Sequence, residues 1–296
     1  MKVRTLIMKN FGETYKKLRN DRNLTQEDVA GSQLSVAQVS KFERGNSRVT
    51  LENFYYMVEK LGLTLQEFEH RALGHELNGF YQLLEQISIY YAENNERGLR
   101  KLLLVEEKKI DVGGNHHELN CIMIKNAIGG LTKCDHISEE EKEKISDYLF
   151  SVEDWGHYQL TLYGNTIDAF NSSAIYALST DVLTRTQYYK SIAQNKRLTI
   201  QVLVNTVIIF VERKEIEYAR FFRDAITDML VETDIYERTL FLFITGLVDF
   251  YSGKKEGAQK MRDAIDIFDK VGSYHLAKDC QDDYDKYVGG EIEFHI

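Results

Sequence analysis

The chain contains no proline in 296 residues, whereas average usage of about 5% would place roughly fifteen in a protein of this length. Proline breaks helix interiors, and long irregular loops usually carry some of it. A chain without proline is therefore free to form helices joined by short turns. We predict an all-α protein, long enough for two domains of ordinary size.

Residues 24–45, LTQEDVAGSQLSVAQVSKFERG, have the pattern of two short helices joined by a tight turn. Ser35 and Gln38 form the S-x-x-Q capping box that begins the second helix. Val39 and Phe42, three apart, point inward. The other face exposes small and cationic side chains, namely Val36, Ala37, Ser40 and Lys41. A helix pair of this kind fits a DNA major groove; the alternative is an ordinary pair of packed helices.

Three further short helices surround this pair, so that about 70 residues complete a five-helix bundle. We place a DNA-binding domain at 1–70 and a second domain at 75–296. Residues 1–70 carry 11 Lys+Arg against 9 Asp+Glu, and the remainder carries 26 against 37. A mildly basic end on an acidic body suits a module that touches phosphates. One such domain would bind weakly, so two would be needed.

The second domain shows a repeat near 40 residues. Phe170, Phe210 and Phe250 recur at this spacing, and the pair Asn165-Thr166 recurs as Asn205-Thr206. This period is the signature of a solenoid of tetratricopeptide-like helical hairpins. We predict helices over 76–93, 96–111, 116–132, 138–152, 155–170, 173–193, 195–213, 215–231, 234–252, 254–271 and 273–288.

A solenoid of helix pairs commonly binds an extended peptide on its concave side, which the first helix of each pair lines. Asn165 and Asn205 occupy equivalent places, and an Asn amide both donates to and accepts from a peptide backbone. The surrounding apolar residues predict an apolar peptide: Tyr158, Leu162, Val202, Ile209, Phe243 and Leu247. Alternatively, the asparagines satisfy nearby turns or face solvent. Periodicity does not separate groove from core among the apolar residues.

The phrases T-Q-E-D-V-A and S-K-F-E-R-G resemble the helix-turn-helix of the phage-repressor (XRE-type) superfamily. In that superfamily an Arg of the first helix pairs with a Glu late in the recognition helix, and Arg19 and Glu43 stand at the matching positions. The resemblance implies that this pair is structural rather than a base-reading element. It also implies that Gln26 anchors phosphate, as a Gln does at that position in related repressors.

From the residues themselves we predict that Val36, Ala37, Ser40 and Lys41 contact base edges. Lys41 would reach guanine O6 and N7, and the apolar pair would touch thymine methyls. Gln26, at the start of the first helix of the pair, is placed to hold phosphate together with Ser35, Gln38 and Arg44. The alternative for Lys41 and Arg44 is solvated surface charge.

As a whole, the chain resembles the Rgg-like regulators of Gram-positive bacteria, within the RRNPP group of peptide-sensing quorum regulators. The sharpest part of the likeness is SVAQVSKFERGNSRVTLENFYYMVEKLGLTLQEF. The resemblance implies a homodimer, an imported short hydrophobic signalling peptide in the groove, and peptide control of binding to double-stranded promoter DNA. Some members carry a cysteine near the end of the recognition helix; this chain has Gly45 there, which argues against that form of redox control.

Other functions find little support in the sequence. The three cysteines show no C-x-x-C pattern and no secretory signal precedes them, so we expect reduced thiols in a cytoplasmic protein. No run approaches the roughly eighteen apolar residues of a membrane helix. The triplet at 116–118, His-His-Glu, lacks metal-ligand spacing. We therefore expect no enzyme, no cofactor, no metal and no membrane partner.

Two other functions remain open from the sequence. One is a repeat scaffold that acts through protein–protein contacts, with a helix-turn-helix that no longer binds DNA. The other is an XRE-type regulator without a peptide ligand. The capping residues, Gln26, Lys41 and Arg44 argue against the first, because a scaffold would have no use for them.

Overall fold

The computed structural model describes residues 2–73, 79–110 and 115–289, with the side chains of 11–73, 79–110 and 116–289. These residues form helices and turns with no strand, so the all-α prediction is confirmed for them. The helices are α1 Lys2–Asn20, α2 Gln26–Ala30, α3 Val36–Glu43, α4 Leu51–Lys60, α5 Leu65–Ala72, α6 Gly79–Ala92, α7 Glu96–Glu107, α8 Asn115–Thr132, α9 Glu139–Ser151, α10 His157–Gly164, α11 Ser172–Arg185, α12 Ala193–Glu212, α13 Ile216–Thr227, α14 Ile235–Tyr251, α15 Gly257–Lys270 and α16 Tyr274–Tyr284.

The chain divides into two compact units, residues 1–86 and 87–296, with the division inside α6. The first unit contains α1–α5 around an aromatic core. Phe54 and Phe68 meet edge to face with ring centroids 5.0 Å apart, and Tyr15 is fully buried and donates to the Met57 carbonyl oxygen at 2.9 Å. Gly12 lies so close to α3 that a Cβ atom there would stand 2.1 Å from the Phe42 carbonyl oxygen. The backbones of α1 and α3 are therefore in direct contact.

A buried carboxylate joins the first three helices. Glu43 of α3 accepts from Arg19 of α1, with Nε–Oε1 at 2.6 Å and Nη2–Oε2 at 3.0 Å, and from Nε2 of Gln26 at 2.7 Å. The side chains of Arg19 and Glu43 are only 8% and 1% exposed. Hydrogen bonding to Glu43 raises the pKa of Arg19. This two-pronged, water-excluded pair fixes how α3 is oriented on α1 and α2.

The second unit is built from helical hairpins, in which α12 packs on α13 and α14 packs on α15. The first helices also pack on one another, α10 on α12 and α12 on α14. Thr166 and Thr206, the repeated threonines, are both fully buried. Each donates its hydroxyl to the carbonyl four residues earlier, at 2.8 and 2.9 Å. The two threonines are therefore buried and bonded alike, although Thr206 lies within α12 and Thr166 lies just after the end of α10.

Two predicted helices are much shorter than the sequence suggested, and others end a few residues early, as the one predicted over 215–231 does at Thr227. The one predicted over 155–170 ends at Gly164 and continues as a single 3₁₀ turn over Ile167–Ala169. The reason is a capping bond, since the Nδ2 atom of Asn165 donates to the Thr161 carbonyl oxygen at 2.8 Å. The one predicted over 173–193 ends at Arg185, before a 3₁₀ turn over Gln187–Tyr189. Residues 76–78 of the helix predicted over 76–93, and residue 111 of the one predicted over 96–111, lie outside the described residues.

We predict that Glu43→Gln loosens the first unit, because it leaves the Arg19 guanidinium buried without its counter-charge. Breaking a buried pair in this way costs about 3–5 kcal/mol. Hydrogen exchange measured on the full chain should show loss of amide protection in α1–α3 and no change in α12–α15. The control is Glu96→Gln in the exposed Glu96–Arg100 pair, which should cost at most about 1 kcal/mol. Unchanged protection of α1–α3 would contradict this role for Glu43.

Candidate DNA-binding face and candidate peptide groove

The recognition helix α3 is capped at both ends. Ser35 Oγ accepts from the Gln38 backbone N–H at 3.2 Å, and Gln38 Oε1 accepts from the Ser35 backbone N–H at 2.8 Å. At the other end Gly45 adopts φ +69°, and the backbone N–H of Asn46 donates to the Lys41 carbonyl oxygen at 2.9 Å. Such caps satisfy the free backbone groups of a short helix.

The faces of α3 separate as the sequence predicts. Val39 and Phe42 are buried in the core of the first unit. Of the residues predicted to contact bases, three are exposed and the fourth, Ser40, is half-buried; the exposed ones are Val36, Ala37 and Lys41. Lys41 forms no ion pair with any described residue. The outward face therefore offers two apolar side chains and one free ammonium group.

The predicted phosphate ligands differ in what they have left to donate. Gln26 uses one amide hydrogen on Glu43 and keeps the second. The exposed Gln38 uses only its carbonyl oxygen in the cap, so its amide group stays available. The predicted phosphate contact of Ser35 needs correcting. Its backbone N–H and its hydroxyl both donate to Gln38 Oε1, at 2.8 and 3.0 Å. It has no donor left for phosphate and serves as a cap.

Two exposed arginines extend this surface beyond the end of α3. Arg44 donates its Nε to the Ser40 carbonyl oxygen at 3.1 Å and presents the rest of its guanidinium to solvent. Arg48, which the sequence analysis did not select, is exposed in the loop before α4 and has no ionic partner among the described residues. The available signal was a cation in the loop that follows the recognition helix.

In the second unit the two repeated asparagines are exposed but not equivalent in their bonding. Asn165 caps α10 through its Nδ2 atom, which donates to the Thr161 carbonyl oxygen. Asn205 lies within α12 and makes no side-chain hydrogen bond within the described part of the chain. Its donor and its acceptor are therefore both available to a ligand, whereas the Asn165 amide is already partly used.

Four of the residues predicted to line the groove belong to the core instead. Each has at most 2% of its surface exposed, because it packs between neighbouring repeat helices; they are Leu162, Val202, Phe243 and Leu247. Tyr158 is half-buried, and its single hydroxyl hydrogen is shared between two acceptors, Asn120 Oδ1 at 3.1 Å and the His116 carbonyl oxygen at 3.2 Å. Burial raises the pKa of Tyr158. Ile209 is half-buried and stays accessible beside Asn205.

The polar neighbours of Asn205 on α12 were not among the residues predicted from the sequence. Arg197, Gln201 and Asn205 follow one another at intervals of four and are all exposed, so they form one stripe. Arg197 also pairs with the buried Glu237 of α14, Nε–Oε1 3.1 Å. The i, i+4 spacing of polar residues inside an otherwise apolar helix was the available signal.

In the described ranges no three His, Cys, Asp or Glu side chains lie together in a way that would hold a metal ion. No helix in those ranges is both long and apolar enough to cross a membrane.

Several solved structures match almost the entire chain. The Streptococcus dysgalactiae SHP pheromone receptor Rgg2 is 30% identical, with 94% of this chain and 100% of that chain covered and a TM-score of 0.80. A putative transcriptional regulator from Listeria monocytogenes EGD-e is 17% identical, covering 95% and 98%, with a TM-score of 0.84. The PrgX/cCF10 complex is 15% identical over 95% and 93%, with a TM-score of 0.73. The last two show likeness of fold alone.

Family comparisons point the same way. Residues 16–68 match a helix-turn-helix family, and these residues include the whole of α2–α4. Residues 99–282 match the C-terminal domain of the HTH-type transcriptional regulator Rgg, which is more than half of the chain. The chain belongs to the Rgg family of helix-turn-helix transcriptional regulators.

Proposed function

We propose that this regulator binds promoter DNA as a homodimer and that a short hydrophobic peptide, held by the repeat unit, controls this binding. The DNA-binding part of this proposal rests on the outward face of α3, where Val36, Ala37 and Lys41 are exposed. The buried Arg19–Glu43 pair holds this helix in place. An apolar pair and a free ammonium match thymine methyls and guanine O6 and N7 in the major groove.

Phosphate contacts would come from groups beside that face. Gln26 and Gln38 keep free amide hydrogens, and Arg44 and Arg48 are exposed cations. The first 70 residues carry only two more basic than acidic residues, so few phosphates would be neutralised by one copy. Two copies double the number of released counterions and steepen the salt dependence. This is why we propose a dimer. We also propose that the DNA-binding domain comprises residues 1–70 and the repeat domain residues 75–296.

Peptide control is supported by what relatives bind and by the stripe on α12. Rgg2 is a pheromone receptor, and PrgX has been solved as a complex with cCF10. In this chain Asn205 offers a free amide beside the half-buried Ile209, which suits the backbone and an apolar side chain of a bound peptide. We further propose that the protein works in the cytoplasm, without catalytic chemistry of its own.

Lys41→Ala should weaken binding to the operator by about 1–3 kcal/mol, the range for one base contact, and leave binding to random DNA nearly unchanged. Arg44→Ala should weaken both and reduce the salt slope by about 1, as a phosphate contact does. Titration of the chain's own upstream DNA and of a scrambled fragment, at several salt concentrations, measures this. The charge-matched control is Lys101→Ala on the exposed surface of α7. Equal losses on both fragments for Lys41→Ala would contradict base contact.

Asn205→Ala should weaken peptide binding about 2- to 10-fold, the effect of one or two lost hydrogen bonds, without lowering the melting temperature. Operator binding is measured with and without the short apolar peptides encoded near the gene. The control is Gln281→Ala, an exposed amide on α16. Selective DNA binding that no peptide shifts would leave a regulator without a peptide ligand. Absence of selective DNA binding would favour the protein-interaction scaffold.

A further inference from the structure

A cleft of about 520 Å³ lies in the second unit, lined by residues of α13, the loop after it, α14 and α15. Its walls are largely apolar, with Leu230, Ile235, Leu242 and Ile267 among the lining residues. Small-ligand pockets span roughly 300–1,000 Å³. The cleft therefore has room for the end of a peptide but not for an entire one.

The charge of this cleft is unlike that of the acidic unit around it. Two cations, Arg238 and Lys260, line it, and among the described residues that line it there is no carboxylate. Arg238 is exposed and forms no ion pair with any described residue. The cleft is therefore positively charged and has apolar walls. Such a cleft favours a ligand that carries an anionic group next to an apolar group.

The charge of Lys260 is only partly neutralised. Its Nζ lies 2.5 Å from Oδ2 of the buried Asp249, but Nζ of Lys254 lies 2.6 Å from Oδ1 of the same carboxylate. Burial alone would raise the pKa of Asp249, yet hydrogen bonds from the two lysines hold that pKa below its usual value. One carboxylate is thus shared by two ammonium groups, so the cluster keeps positive charge beside the cleft.

Thr245, which also lines the cleft, supplies an unused hydroxyl. Thr206 and Thr239, on α12 and α14, donate to the carbonyl four residues earlier, at 2.9 and 2.8 Å. The Thr245 Oγ1 atom is buried and has no hydrogen-bond partner in the described part of the chain. Buried hydroxyls are nearly always hydrogen-bonded. A ligand oxygen would supply the missing partner.

The repeat places this hydroxyl in register with the proposed peptide clamp. Thr245 follows Asn205 by 40 residues, and Asn205 follows Asn165 by 40. The three residues stand on or next to α10, α12 and α14, which pack side by side. Neighbouring helix axes lie about 8–10 Å apart. An extended chain of at least about five to six residues would span the row from Asn165 to Thr245.

We infer that this cleft binds the C-terminal end of the signalling peptide. The terminal carboxylate pairs with Arg238 and Lys260 and accepts from Thr245, and the last apolar side chains contact the apolar walls. The peptide thus runs with its C-terminus over α14 and its N-terminal part toward α10. This assignment rests on the proposed peptide control of the protein and adds to it a polarity and a requirement for a free carboxylate.

The test compares two pools of synthetic apolar peptides about eight residues long, identical except that one ends in a free carboxylate and the other in an amide. Each pool is incubated with the full chain, and retained peptides are quantified by mass spectrometry. Wild-type protein should retain the acids about 10-fold better than the amides, as expected for a charge-assisted contact. Arg238→Gln should bring this ratio close to one. Arg220→Gln, which removes a half-buried arginine on α13 paired with Glu217, should leave it unchanged.

The Thr245→Val variant distinguishes a lost ligand contact from a loss of stability. The substitution keeps the shape and removes a hydroxyl that has no partner, so the melting temperature should not fall while the preference for acids should. Equal retention of acids and amides by the wild type would overturn the carboxylate site and leave peptide control standing. Retention of neither pool would contradict peptide control itself. Binding of sodium decanoate at the cleft, with both pools ignored, would overturn the assignment in favour of a fatty acid.

Discussion

The buried carboxylate of Glu43 is the group on which the DNA-binding face depends. It belongs to α3 and accepts hydrogen bonds from Arg19 of α1 and Gln26 of α2. A helix of eight residues is not stable alone in water, so α3 takes its stability from its caps and from this packing. Since an unpaired buried charge is costly, the three helices keep one relative orientation. The exposed side chains of α3 are therefore presented from a rigid frame.

The repeat unit depends on a different feature, the repeated Asn-Thr dipeptide. Its threonine belongs to the core and its asparagine to the surface. Successive residues of a helix point about 100° apart, so within α12 Thr206 can be buried while Asn205 beside it is exposed. Just after the end of α10, Thr166 is buried and Asn165 is exposed in the same way. Thr206 does more than fill space, because its hydroxyl lies 2.9 Å from Ser179 Oγ, which in turn lies 2.7 Å from the Tyr163 hydroxyl. This buried chain of hydroxyls connects α10, α11 and α12. The exposed asparagines stand on that rigid support.

Charge is distributed unevenly in both units, which the net value of −9 conceals. The first unit carries free cations at Lys41, Arg44 and Arg48, where a polyanion would lie. The second is acidic but has a positive cleft at Arg238 and Lys260. Both positively charged surfaces also contain apolar side chains: Val36 belongs to the face of α3, and Ile235 to the cleft. Both surfaces therefore suit ligands that combine an anionic part with an apolar part, although those ligands differ greatly in size.

The sequence by itself determined what short-range chemistry controls. Helix caps, the inward positions of α3 and the matched Arg19 and Glu43 depend on residues a few positions apart or on a recognisable motif, so they were predictable. The groove was not. Leu162, Val202, Phe243 and Leu247 are apolar and periodic, as both core and groove residues are, and only the packing of one hairpin on the next decides which face is covered. The same packing left Asn205 free, bound Asn165 to its own helix, and brought residues of three helices together around Thr245, because long-range contacts assign each side chain to core or surface.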